Sequence, residues 1–434
     1  MDHQEVSART ESRPSGRRGR AGRSSFTGVD ARLPDVAHPQ SILSRPVVML
    51  LITSLGSCGS FYLLLPVVPL YTAAAGAGSV GAGLSTGAMM LATVLVEFAV
   101  PGLLSRYGYR AAMTLGLILL GAPAVVLAAS SSLPLVMGVC MLRGAGLGIL
   151  SVAGSAAIAE FVPAERRGEG LGLYGLAVTV PSIVCLPLGL WLNARIGYWP
   201  VFLAGAALSL LVLAAVHGLP ARSARVEHHG SVLGALRIGG LARPAVIFAA
   251  VTLAAGALLT FLPLALSAES YQLGAVALLV QSCAAPLARW GAGWYGDRHG
   301  SARLLVPAVL AAALGAAGLV RVDNPLAVVA GMGLFGIGFG MAQNVTLALM
   351  FERVSASDFG RVSALWNLAY DGGLGIGAAG FGLLAGPVGY PAGFALTAGV
   401  LFAALAPAWR GAARPAGTER KLTWPDRPKE APRA

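Results

Sequence analysis

The 434-residue chain is 56% hydrophobic and only 12% charged, with 58 glycines, which excludes a water-soluble globular domain. Its net charge of +12 is carried by residues scattered among tails and short loops between apolar runs, so the implied partner is a lipid bilayer and not a nucleic acid. Four cysteines without C-x-x-C spacing and six histidines confined to tails, loops and a helix end give no disulfide framework and no metal cluster.

Residues 1–46 are rich in Arg, Ser, Gly and Pro without apolar periodicity, which predicts a disordered basic tail that touches anionic lipid. Twelve apolar stretches follow, near 47–72, 80–104, 110–130, 133–159, 169–192, 199–219, 244–267, 272–293, 303–320, 326–350, 360–386 and 390–409. Each has about the ~20 residues a helix needs to cross the hydrocarbon. The first six form a predicted bundle at 47–219, a basic linker covers 220–243, the last six form a second bundle at 244–409, and a second basic tail runs over 410–434. Of the 31 Lys and Arg, 28 are assigned to the tails and even-to-odd loops, leaving Arg195 and Arg321 opposite and Arg143 within a span. The positive-inside rule then puts both termini in the cytoplasm.

In chain order, helix one carries Tyr62 and the pair Pro66 and Pro69, and helix two carries Glu97, two turns before Ser105. The loop that follows reads Pro101-Gly-Leu-Leu-Ser105-Arg106-Tyr-Gly108-Tyr-Arg110, and the loop after helix eight reads Gly293-Trp-Tyr-Gly-Asp297-Arg298-His-Gly300-Ser-Ala-Arg303. Helix four holds Arg143 at the head of Arg-Gly-Ala-Gly-Leu-Gly; Gly144 and Gly148, like Gly336 and Gly340 in helix ten, share one helix face and suit close packing. Helix ten ends its glycine run at Gln343 and Asn344.

In helix eleven, Ser363, Trp366, Asn367, Tyr370 and Asp371 share an arc at ~100° per residue. Asp371 lies about 16 Å past Gly360 at ~1.5 Å per residue, near mid-membrane.

These features recur at one offset. Arg106, Gly108, Gly144, Gly146, Gly148, Glu160, Gly168, Gly197, Tyr198 and Phe202 reappear 192 residues later as Arg298, Gly300, Gly336, Gly338, Gly340, Glu352, Gly360, Gly389, Tyr390 and Phe394. A long repeat in an apolar chain predicts two pseudo-symmetric six-helix bundles with a site where they meet.

The two loops resemble the signature G-x-x-x-D-R-x-G-R-R of the major facilitator superfamily. The resemblance covers about residues 47–410 and implies an all-α membrane protein of twelve transmembrane helices, working as a monomer without a cofactor. It also implies a cytoplasmic gate built from Ser105, Arg106, Gly108, Arg110, Asp297, Arg298, Gly300 and Arg303. Asp297 would cap the start of helix five near Gly168, and Ser105, standing where aspartate is usual, would cap helix eleven near Gly360 without adding charge.

Asp371, Glu97 and Arg143 are the candidates for proton coupling, each with a structural alternative. Asp371 could only tie helices together, Glu97 could be interfacial, and Arg143 could bond neighbouring carbonyls. Tyr62, Gln343, Asn344, Trp366, Asn367 and Tyr370 are the candidates for lining a substrate cavity.

The function expected from these residues is transport of a small molecule with protons across the cell membrane. Pro181, Pro187 and Gly189 partly match the G-P-x-x-G-G element of the superfamily's antiporters, which favours efflux of an apolar organic compound, a drug or metabolite. Uptake of a sugar or organic acid is the alternative within transport, and a non-transporting sensor or scaffold the alternative outside it. An enzyme is disfavoured, because no nucleophile, base and orienting group share a site.

Overall fold

The structure, a computed structural model, describes residues 43–129, 131–163, 166–220, 240–267, 270–355 and 358–412. Most of both basic tails and the centre of the linker lie outside these residues. All regular structure among them is helical and forms twelve apolar spans. We number the spans α1 to α12.

α1 is Arg45–Leu64 continued by Val67–Thr72, broken at Pro66, which cannot donate a helical N–H. α2 is Gly78–Glu97 plus the first part of Val100–Val126, and the remainder of Val100–Val126 is α3. The division falls at Gly108, whose φ of 75° and ψ of 177° belong to a region open essentially to glycine. α4 is Leu133–Phe161, α5 Arg167–Ile196, and α6 Tyr198–Leu210 with Leu213–Val216. α7 is Ala242–Ala265, α8 Tyr271–His299, and α9 Leu305–Gly318 after a 3-10 turn at Ser301–Leu304. α10 is Pro325–Phe351, α11 Phe359–Val388 and α12 Tyr390–Ala412. The expected spans are all present, with boundaries moved by a few residues. One difference has a local cause: α2 breaks just after Glu97, at Phe98–Ala99, where Pro101 opens the next helical segment, whereas α8 runs unbroken past Gly293, the repeat counterpart of Pro101.

The duplication holds in the packing. Gly144, Gly146 and Gly148 of α4 sit against Met89, Gly116 and Leu120, and Thr93; Gly336, Gly338 and Gly340 of α10 sit against Gln281, Ala308 and Ala312, and Ala285. Each partner in the second set lies 192 residues after its equivalent in the first. In the first bundle α4 packs on α2 and α3, and α1 on α5 and α6; in the second α10 packs on α8 and α9, and α7 on α11 and α12. The bundles join through the equivalent pairs α2 with α11 and α5 with α8. Gly108 and Gly300, and likewise Gly197 and Gly389, keep positive φ at matched turns.

We call the face bearing the α2–α3, α6–α7 and α8–α9 turns proximal and the opposite face distal. The bundles touch in their distal halves. Gly83 and Gly87 of α2 meet Ala378, Ala379 and Gly375 of α11, Gly382 approaches Ser79, and Leu190 of α5 lies against Gly274 of α8. Burial changes along the same helices. From 169 to 180 on α5 only Gly170 and Ala177 are buried, whereas six of the thirteen residues from Pro181 to Asn193 are. On α11 burial before Asp371 is confined to Val362, Leu365 and Ala369, but from Gly373 onward it extends around most of the helix. The space between the bundles is therefore closed distally and open toward the proximal face.

Candidate functional site

The rotation of α11 follows from its small residues. Gly373 and Gly377 fit against Thr252 and Leu253 of α7, and the Thr252 hydroxyl donates to the Ala369 carbonyl at 2.8 Å. Asp371 is some 160° around the helix from Gly373, on the stripe that continues through Gly375, Ala378, Ala379 and Gly382 toward α2. On α2 the facing stripe runs through Ser79, Gly83, Gly87 and Met90 and continues to Glu97. Distal to the acids these stripes let the two backbones meet closely. Where they end, the carboxyls of Glu97 and Asp371 come within hydrogen-bonding reach of each other across the bundle interface. Both residues are half-buried, and Glu97 Oε1 is buried without a partner. Among the described residues neither carboxyl has a cationic partner.

The wall beside this pair is aromatic. The Tyr62 and Tyr370 hydroxyls interact across the interface between α1 and α11. Trp366 stacks on Phe248 with ring centroids 4.6 Å apart and donates its indole N–H to Thr346 Oγ1 at 3.2 Å. Tyr370 packs at 6.0 Å from Phe248 and 6.2 Å from Phe339. Asn367 lies half-buried on the same arc of α11. Gln343 is buried and accepts from Arg289 Nη1 at 3.1 Å. Asn344 points its amide at Gly293, within the α8–α10 contact, so it departs from the expected place in the cavity wall.

Arg143 is placed as its structural alternative has it, bonded to neighbouring carbonyls. It is 1% exposed and donates to the Leu120 carbonyl at 2.6 Å and the Ser60 carbonyl at 3.3 Å. It thereby ties α4 to α3 and α1 inside the first bundle. Arg289 belongs by the charge count to the basic loops, yet it lies ten residues inside α8, about 15 Å from its proximal end. It is exposed to the chamber, and Tyr62 and Tyr370 are its electrostatic neighbours. Two signals could have found it: a basic residue inside an apolar span, and its position 192 residues after Glu97.

The gate residues stand apart. The Ser105 hydroxyl donates to the Gly102 carbonyl one turn back at 2.9 Å, so it does not cap α11. Arg110 Nη2 donates to the His217 and Leu219 carbonyls at 3.1 and 2.8 Å, holding the end of α6 within its own bundle. Asp297 is exposed and among the described residues makes no hydrogen bond, so the expected cap on α5 is not formed. Arg298 lies over Trp294 of its own helix at 3.9 Å, Arg106 lies over its neighbour Tyr107 at 5.3 Å, and Arg303 is exposed in the 3-10 turn. Gly108 and Gly300 make the turns themselves. These groups are disengaged across the bundles, in keeping with a proximal side that is open.

Solved transporters share this architecture. The nucleoside transporter NupG aligns with a TM-score of 0.67 and 14% identity over 86% of this chain and 100% of its own. Its D323A mutant gives 0.69 and 13% over 84% and 99%. A D-xylose-proton symporter gives 0.67 and 15% over 83% and 98%. Such low identities speak for the fold alone. The sequence model of the Major Facilitator Superfamily matches residues 50–378 and, overlapping them, 291–433. With the paired signature loops, the duplicated bundles and this match, the chain belongs to the major facilitator superfamily, and it is a multi-pass membrane transporter and not an enzyme.

Proposed function

We propose that the protein is a proton-coupled secondary transporter that exports a small, largely apolar organic compound by alternating access, with both termini in the cytoplasm of a cell whose plasma membrane it spans as a monomer. The observation that carries the coupling is the contact between Glu97 and Asp371. Two carboxyls within hydrogen-bonding reach can bond only if one supplies a proton, since two carboxylates have no donor. The acids come from different bundles, so parting α2 from α11 breaks the pair and changes what its proton can bind. Protonation thereby becomes tied to which face is open. A charge crossing at 100 mV is worth ~2.3 kcal/mol, roughly fiftyfold in concentration.

The aromatic wall formed by Phe248, Trp366, Tyr370 and Phe339 supports an apolar substrate body. The basic loops on the proximal side support cytoplasmic termini. Uptake by symport is the second reading, supported by the polar Arg289–Gln343 pair.

Proteoliposomes with an imposed pH gradient test both readings. Proton entry should drive substrate out of the compartment the protons enter, and co-directional movement would replace export by symport. Asp371→Asn and Glu97→Gln should each lower pH-driven flux by at least about tenfold while inserting normally. Full coupling in both variants would remove the pair from the mechanism.

A further inference from the structure

Two arginines lie deep within apolar helices here, and their surroundings differ. An arginine at that depth is costly unless it meets a partner or a water-filled cavity. Arg143 meets partners: it is enclosed, and carbonyls of two helices accept its N–H groups. Among the described residues Arg289 has one, the amide oxygen of Gln343. A guanidinium presents five donors in a planar fork, so most of its capacity faces the chamber unused.

Neutralisation from within is missing as well. The mid-membrane acids Glu97 and Asp371 are turned to each other, and among the described residues no carboxylate pairs with Arg289. The repeat makes the arrangement plain, because Arg289 is the counterpart of Glu97, offset by 192 residues. The pseudo-twofold thus places an acid in α2 and a base in α8 at mirrored sites of the two bundles, with Tyr62 and Tyr370 beside the base and beside Asp371, the partner of the acid.

We propose that Arg289 anchors the carboxylate of a monoanionic organic substrate, whose apolar body lies against the aromatic wall of α7, α10 and α11. This deepens the transport reading and rests on it. A carboxylate matches the guanidinium fork with two parallel bonds, and the Tyr62 and Tyr370 hydroxyls can donate to the same oxygens. Gln343 holds the fork in place through Nη1. A single charge is specified because the described chamber offers one unpaired cation and has an acid pair close by, which disfavours a dianion such as a phosphate monoester.

The test uses the full-length protein in lipid nanodiscs at fixed ionic strength. The probes are benzoate, phenylacetate and hexanoate, each against its neutral amide, and binding is read by titration and by the shift in thermal unfolding. At least one carboxylate should bind saturably where its amide does not. Arg289→Gln should weaken that binding at least about tenfold, the loss of a charge-assisted pair, and Arg289→Lys should keep part of it. Both variants should unfold near the parent's temperature without probe, which separates lost binding from lost folding.

Equal binding of acid and amide, absence of binding by all three acids, or undiminished affinity in folded Arg289→Gln overturns the proposal. Asp371→Asn distinguishes it from the coupling reading: it should lose pH-driven flux yet still bind the carboxylate in preference to its amide. Retained coupling there would remove the proton pair and leave the anion site standing.

Discussion

Arg143 illustrates how a residue of one type takes opposite roles according to what it touches. Its chain-level signature, an arginine opening a glycine run in mid-span, is equally compatible with a cavity cation and with a clamp. The Leu120 and Ser60 carbonyls decide for the clamp, since a side chain 1% exposed has no face left for substrate. Arg143→Met should therefore lower the unfolding temperature through the loss of charged donors, about 1–3 kcal/mol, in full-length protein in nanodiscs. Substrate affinity of the surviving folded fraction should stay within about twofold of the parent; a large affinity loss with unchanged stability would return Arg143 to the cavity.

At the level of elements, glycines set the distances that polar residues then exploit. Gly144 and Gly340 bring α4 against Met89 and α10 against Ala285 so closely that a Cβ would meet the facing carbonyl oxygen. Gly340→Val should push α10 from α8, cost about 1–3 kcal/mol or more, and weaken the Arg289–Gln343 bond, which spans that same contact. Thermal unfolding and carboxylate affinity measured together check this, and a variant with parental values of both would show that the helices separate freely. The repeat also exchanges charge at matched points. Arg166 pairs with Glu169 at the start of α5, and Asp358 with Arg361 at the start of α11, each three residues apart with the signs reversed. Being largely exposed, such pairs do little for stability. Like the Glu97 and Arg289 positions, they show that the two halves kept their geometry while their charges diverged.

Among the described residues, the closest backbone approaches between the two bundles lie on the distal side. Ser79 and Gly386 face each other there, with a Cβ on Gly386 lying 3.6 Å from the Ser79 hydroxyl oxygen. In a background without the four native cysteines, Ser79→Cys with Gly386→Cys should cross-link readily and stop transport while leaving thiols introduced in the proximal chamber open to labelling. Proximal thiols protected by the cross-link would contradict a chamber that opens that way. Ser105→Asp should act in the opposite sense. A carboxylate at this position gives the first copy of the signature loop the anion it lacks, which can cap the start of α11 when the proximal side closes, so labelling of the same proximal thiols should slow. Unchanged labelling would leave the Ser105 hydroxyl bonded to its own helix as the whole of its role.

Span length, turn glycines and the 192-residue offset are one-dimensional properties, so the chain alone determined the twelve helices, their grouping into two equivalent bundles and the close packing expected of Gly144, Gly148, Gly336 and Gly340. It also marked Asp371 on a polar arc. It did not say that Asp371 meets Glu97, 274 residues away, because that depends on how far each helix is rotated and where α2 breaks. Those angles are set by small residues pressed against a neighbouring backbone, Gly373 and Gly377 on α7 and Gly83 and Gly87 on α11. Periodicity gives the face of a helix but not what that face will touch. For the same reason only the tertiary structure separated Arg143, enclosed by carbonyls, from Arg289, left with its charge in the chamber.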